Sequence, residues 1–159
     1  MNLQSAAAMS EPLPVPPSYV EIETRFGRVS FKEENAIVMP GGLPGFPGRR
    51  RFGLSPLPNP RFEQFVLFQD LDDPSLCFLV MPASVNSELI DSADVDEALA
   101  SCGIAREDAT FLLIVTLRKE DERIVTTVNL RAPIILDTDR KIARQYVMPN
   151  GKYAIRHAV

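Results

Sequence analysis

Short apolar runs separated by turn residues constrain this chain more than any other feature. Phe65–Val66–Leu67–Phe68, Leu76–Cys77–Phe78–Leu79–Val80–Met81 and Phe111–Leu112–Leu113–Ile114–Val115 are rich in aromatic and β-branched residues. Runs this short, bounded by turn residues, fit buried strands better than core helices. Val20–Glu21–Ile22–Glu23–Thr24 alternates with period two, and the break at Phe26–Gly27 before Val29–Ser30–Phe31 predicts a hairpin. Further strands are expected at Ala36–Met39, Ile124–Leu130, Pro133–Leu136 and Ala143–Val147. One helix interrupts the pattern. Val95, Ala98, Leu99 and Cys102 share one helical face, Asp94-x-x-Glu97 has capping-box spacing, and Gly103 supplies a left-handed stop. The expected fold class is all-β: a small antiparallel β-barrel-like or sandwich fold with one or two short helices. Closure would remove exposed sheet edges.

Proline marks the limits of that fold. Ten of the fourteen prolines lie at or before Pro60. Residues 1–18 contain four of them and no apolar period, which predicts a disordered Pro/Ala-rich tail ahead of a single β domain over residues 19–159. Residues 40–60 read as a long Pro- and Gly-rich loop. No apolar run approaches the ~20 residues that span a bilayer. No basic residue precedes the short Ala stretch, as a secretory signal would require. The expected location is cytoplasmic, without a membrane partner.

Two cysteines and one histidine exclude several chemistries. A structural zinc site needs four Cys or His ligands, so no metal is expected. Cys77 and Cys102 sit in apolar sequence and read as reduced, buried thiols. A Cys–His nucleophile pair would have to bring His157 to one of them, and neither carries a local signature. Asp72–Asp73 before Pro74 reads as a turn rather than a carboxylate pair. Gly41–Gly42–Leu43–Pro44–Gly45 lacks the Gly-Lys-Ser/Thr of a phosphate loop. No catalytic residue and no cofactor are expected, and the chain is read as a non-enzyme.

Charge is segregated along the sequence. Residues 62–105 contain nine carboxylates and no Lys or Arg, within a net charge of −4. Arg49, Arg50, Arg51 and Arg61 precede this block, and Arg140, Lys141, Arg144, Lys152 and Arg156 follow it. A solvated face is the ordinary reading of such a block. The other is a docking surface for a basic protein, because clustered charge of one sign steers a partner of the other. Direct nucleic-acid binding is not expected, since phosphates would be repelled.

Five fragments, taken in order, resemble one family. They are Gly42–Leu43–Pro44–Gly45–Phe46; Leu71–Asp72–Asp73–Pro74 with the strand Cys77–Val80; Asn129–Leu130–Arg131–Ala132–Pro133–Ile134; Arg144–Gln145; and Tyr153–Ala154–Ile155–Arg156–His157. This pattern is similar to that of the FliW family of flagellar assembly factors, over residues 20–159. The resemblance implies a small cytosolic β-barrel-like protein without catalytic activity. Its implied partners are flagellin and the RNA-binding translational repressor CsrA, which exchange on it so that flagellin level controls translation of flagellin mRNA. A chaperone that holds flagellin alone is the alternative. Asp72, Asp73, Glu88, Asp91, Asp94 and Asp96 are candidates for the repressor-facing surface. Phe46 either closes the end of the barrel or anchors a flagellin helix. Asn129 and Arg131 are further partner-binding candidates, although beside strand sequences they and Gln145 read first as structural hydrogen bonders.

Overall fold

A computed structural model describes residues 12–159. Most of the expected tail lies outside these residues, while residues 12–18 are exposed and carry no helix or strand. Strands β1 (Tyr19–Thr24) and β2 (Gly27–Lys32) form the expected hairpin, in register from Tyr19↔Lys32 to Thr24↔Gly27. The remaining strands are β3 (Ile37–Val38), β4 (Arg51–Pro56), β5 (Val66–Asp70), β6 (Cys77–Ser84), β7 (Ala109–Glu120), β8 (Arg123–Val128), β9 (Ile134–Asp137), β10 (Ile142–Gln145) and β11 (His157–Ala158). Helix α1 (Ser92–Cys102) lies between β6 and β7.

The sheet closes on itself. β7, β6, β5, β4, β3, β10 and β9 follow one another, and β9 returns to the first half of β7 through Ala109↔Asp137 and Leu112↔Ile134. The second half of β7 leaves the ring and pairs with β8, whose far end carries β11. Every pairing is antiparallel except β3 with β10. The expected β-barrel-like architecture is therefore present, as a mixed ring with a two-strand spur.

Successive residues of the ring strands serve two cores. Ile37, Phe52, Phe68, Val80, Leu112, Ile134 and Ala143, one from each ring strand, form the interior cluster. Phe52 and Phe68 stack there at 4.5 Å. Their neighbours Leu67, Leu113 and Ile135 face outward, under Val95, Ala98 and Leu99 of α1 and under Ile22 and Phe31 of the hairpin. A strand covered on both faces needs apolar residues at consecutive positions, which explains the continuous runs in the sequence.

The structure corrects three expectations. The loop expected over residues 40–60 contains β4, because Gly53 and Pro56 obscure its alternation of Phe52 and Leu54. Gly53 stands where the hairpin approaches: a Cβ there would meet Phe31 Cδ1 at 2.4 Å. β11 was not anticipated, being only two residues long. The capping box is not used either. Asp91 is the N-cap of α1 and makes no side-chain cap bond, and Asp94 bonds elsewhere. Gly103 does end the helix, at φ 67°.

Candidate partner-binding surface

Phe46 lies in the loop between β3 and β4. A tight turn joins Leu43 to Phe46, whose N–H donates to the Leu43 carbonyl at 2.9 Å. Leu43 is buried in the barrel interior, while Phe46 is 41% exposed and rests edge-on against Phe78 at 5.9 Å. Phe46 is thus an aromatic on the rim rather than a core plug. On the other side of this loop, a groove of about 620 Å³ runs between Pro44 and Pro47, the C-terminal end of α1 at Cys102, and Arg144 and Tyr146.

The same loop is tied to the acidic turn after β5. Asp70 is fully buried, and its Oδ1 accepts the Asp72 and Asp73 N–H groups at 2.7 and 3.1 Å. Arg49 reaches Asp73 at 3.2 Å and lies 4.0 Å from Asp70, and Arg51 reaches Asp72 at 3.5 Å. Ser75 donates to Asp73 from both side chain and backbone, and these bonds hold its carboxyl below the usual range, with Arg49 adding a smaller pull. Gln69 is buried behind the turn and donates to carbonyls of the chain that forms it, including Asp73 O at 3.1 Å.

The other acids surround α1. Glu88 and Asp91 line a shallow hollow of about 290 Å³ together with Ser87 and Arg106. Arg106 binds Asp96 at 2.6 Å and Asn86 at 2.7 Å. Asp94 is buried and bonds to the C-terminal segment. It accepts from Asn150 Nδ2 at 3.1 Å, from Lys152 Nζ at 3.1 Å and from the Tyr153 hydroxyl. The Tyr153 and Lys152 bonds lower its pKa, and the same partnership raises that of Lys152. The Tyr153 oxygen also accepts the Asp91 N–H at 3.0 Å, a bond to the α1 N-terminus that the sequence did not suggest. The spacing of Asp94 to Tyr153 carries no local signal for it.

The structure joins Asp72 and Asp73 to the Phe46 loop, and Glu88, Asp91, Asp94 and Asp96 around one helix. Asn129 and Arg131 lie apart, in the turn between β8 and β9. Asn129 Oδ1 accepts the Arg131 and Ala132 N–H groups, both at 3.0 Å, so Asn129 shapes the turn. Gln145 donates to Ala132 O at 3.0 Å and fixes the other side of it. The Arg131 side chain is exposed. Cys77 and Cys102 are free and half-buried, and burial pushes both thiols up, away from thiolate chemistry. No helix among the described residues is long and apolar enough to cross a membrane.

The fold and these surfaces define the class: among the described residues, a small mixed β-barrel covered by helix α1, with charged, loop-built outer faces. A family profile described as FliW protein matches residues 21–159, and the chain belongs to that family. Several relatives are named flagellar assembly factor FliW. The one from Geotalea uraniireducens is 38% identical over 135 residues, covering 84% of this chain and 80% of its own. The one from Clostridium novyi is 33% identical over 141 residues, covering 87% and 95%. A crystal structure of the flagellar assembly factor FliW shares the fold, with a TM-score of 0.65 at 22% identity over 87% of this chain and 95% of its own.

Proposed function

We propose that this flagellar assembly factor works by binding, exchanging flagellin for CsrA so that the amount of free flagellin governs translation of its own mRNA. The observation that carries this reading is Phe46, a large aromatic held 41% exposed on a rim although the core does not need it. Buried aromatics dominate interface energetics, and a flagellin helix laid across the rim would cover this one. Glu88, Asp91 and Asp96, all exposed beside α1, are the acids best placed to face a basic repressor, with Asp72 on the other edge. Two partners that cannot bind together displace each other by mass action. Each ~1.4 kcal/mol of affinity difference then changes occupancy tenfold.

The second reading, a chaperone for flagellin alone, is favoured by a separate observation. Asp72, Asp73, Asp94 and Asp96 are each paired with a cation of this chain, which weakens the field available to a repressor. Titration calorimetry with flagellin and CsrA from the same organism, pairwise and in competition, separates the readings. Mutual displacement supports the exchange. Binding of flagellin alone supports the chaperone, and binding of neither overturns both.

A further inference from the structure

Asn150–Gly151 is the one asparagine in the chain that is followed by glycine. It lies in the bend that returns the C-terminal segment to α1. Asn150 Oδ1 accepts the Lys152 N–H at 3.2 Å, an Asx turn that folds the side-chain carbonyl back over the Gly151 peptide. The same bond would steady the negative charge that forms on Oδ1 during attack at Cγ. Gly151 is exposed, and its N–H donates to no acceptor among the described residues. A Cβ at Gly151 would meet nothing within 4 Å, so no neighbouring group crowds this residue. The leaving nitrogen, Asn150 Nδ2, is the group that binds Asp94 Oδ1.

We propose that Asn150 is a site of spontaneous covalent modification whose product releases the C-terminal segment from α1. The Gly151 amide nitrogen loses its proton and attacks Asn150 Cγ. The new C–N bond closes a succinimide, and the Cγ–Nδ2 bond breaks to expel ammonia, its final proton coming from solvent. Water then opens the ring at either carbonyl, giving aspartate or isoaspartate. The product replaces an amide donor with a carboxylate facing Asp94, and like charges at that separation repel. Among the described residues, Lys152 is the cation that bridges Asp91 and Asp94, at 3.3 and 3.1 Å. Tyr153, next in sequence, then loses its fixed approach to Asp94 and to the Asp91 N–H, and the chain leading to β11 is freed at its start. The acidic side of α1 thereby gains charge with time, without any enzyme.

The test incubates the full chain at mildly acidic and mildly alkaline pH and maps its peptides by mass spectrometry. The expected result is a gain of one dalton at Asn150, split between aspartate and isoaspartate and faster in alkali. Asn86, which precedes Ser87, serves as the control in the same sample and should convert several-fold more slowly. Gly151→Ala fits the backbone and should slow conversion at Asn150 several-fold. Asn150→Asp should speed hydrogen exchange in residues 147–159 and in the first turn of α1. Conversion at Asn150 no faster than at Asn86 overturns the modification. Exchange in Asn150→Asp identical to that of the unmodified protein overturns the release.

Discussion

Replacing Gly53 by alanine tests how the hairpin is seated on the barrel. The added methyl would lie 2.4 Å from Phe31 Cδ1 and 3.0 Å from both Cγ and Cε1. These atoms belong to a rigid ring that is 4% exposed, so the ring cannot simply swing into solvent. Overpacking of this kind costs about 1–3 kcal/mol. Expelling the ring instead would forfeit about 1.5–3 kcal/mol of apolar burial, so the two routes cost similar amounts. Urea denaturation should therefore show a loss of about 1–3 kcal/mol. A protein of this size should melt roughly 2–12 °C lower for that loss. The decisive measurement repeats Gly53→Ala in a Phe31→Ala background. With the ring gone the methyl has space, and the backbone at Gly53 is not left-handed. Alanine should then be neutral or stabilising by about 0.4–1 kcal/mol, because it restricts the unfolded chain. A neutral Gly53→Ala in the wild type, or an equal loss in both backgrounds, would refute the seating of Phe31 on Gly53.

Phe46→Ala and Phe52→Ala should separate rim from core. Phe52 is fully buried and stacked on Phe68, so its loss should cost about 3–5 kcal/mol in denaturation. Phe46→Ala should cost clearly less, its edge-on contact with Phe78 being worth about 0.5–1.5 kcal/mol beyond area, while flagellin binding falls sharply in calorimetry. Acid should unclamp the C-terminal segment. The folded-state pKa of Asp94 is depressed, chiefly by Tyr153 and Lys152, so its contribution is present above the unfolded value near 3.9 and lost as pH falls through the folded one. Melting temperature against pH should fall over that acidic window, and Asp94→Asn should flatten the fall. Asp108 runs the other way. Burial and the neighbouring Asp139, Asp137 and Glu107 raise its pKa, so Asp108→Asn should be more favourable at neutral than at acid pH, by the same melting series.

Much of the barrel was legible because its strands are buried on both faces, and Phe65–Phe68 and Phe111–Val115 leave no other reading. β4 was hidden for a physical reason: its outward position had to shrink to glycine where Phe31 sits, and the missing side chain erased half of its alternation. The helix was readable from Val95, Ala98 and Leu99, which share a buried face. Its start was misassigned because Asp94 has the right spacing for a cap yet bonds residues 56–59 positions away. Local rules rank local partners, and this side chain found stronger charged and hydroxyl donors in the returning segment. Phe46 could be singled out in its loop, but whether it was plug or rim depended on Leu43, which takes the interior place.

The charge pattern shows how far a linear reading reaches toward a surface. Residues 62–105 form an unbroken acidic block, yet folding inserts cations from outside the block into it. Arg49 and Arg51 come from the preceding loop and strand, Arg106 from the turn after α1, and Lys152 from the C-terminal segment. The block is therefore a set of clasps as well as a field. Asp70 and Asp73 fasten the Phe46 loop, Asp96 fastens the turn into β7, and Asp94 fastens the chain that leads to β11. Asp70 and Asp94 are buried, but the pairs nearer the surface, Asp72–Arg51, Asp73–Arg49 and Asp96–Arg106, contribute little, so a basic partner can compete for them at modest cost. A partner that takes Asp73 from Arg49 would also loosen the loop that carries Phe46. The acids near that loop would then couple repressor binding to the aromatic rim through one arginine, and Arg49→Gln should weaken mutual displacement of the two partners while leaving Phe78 and the barrel interior intact.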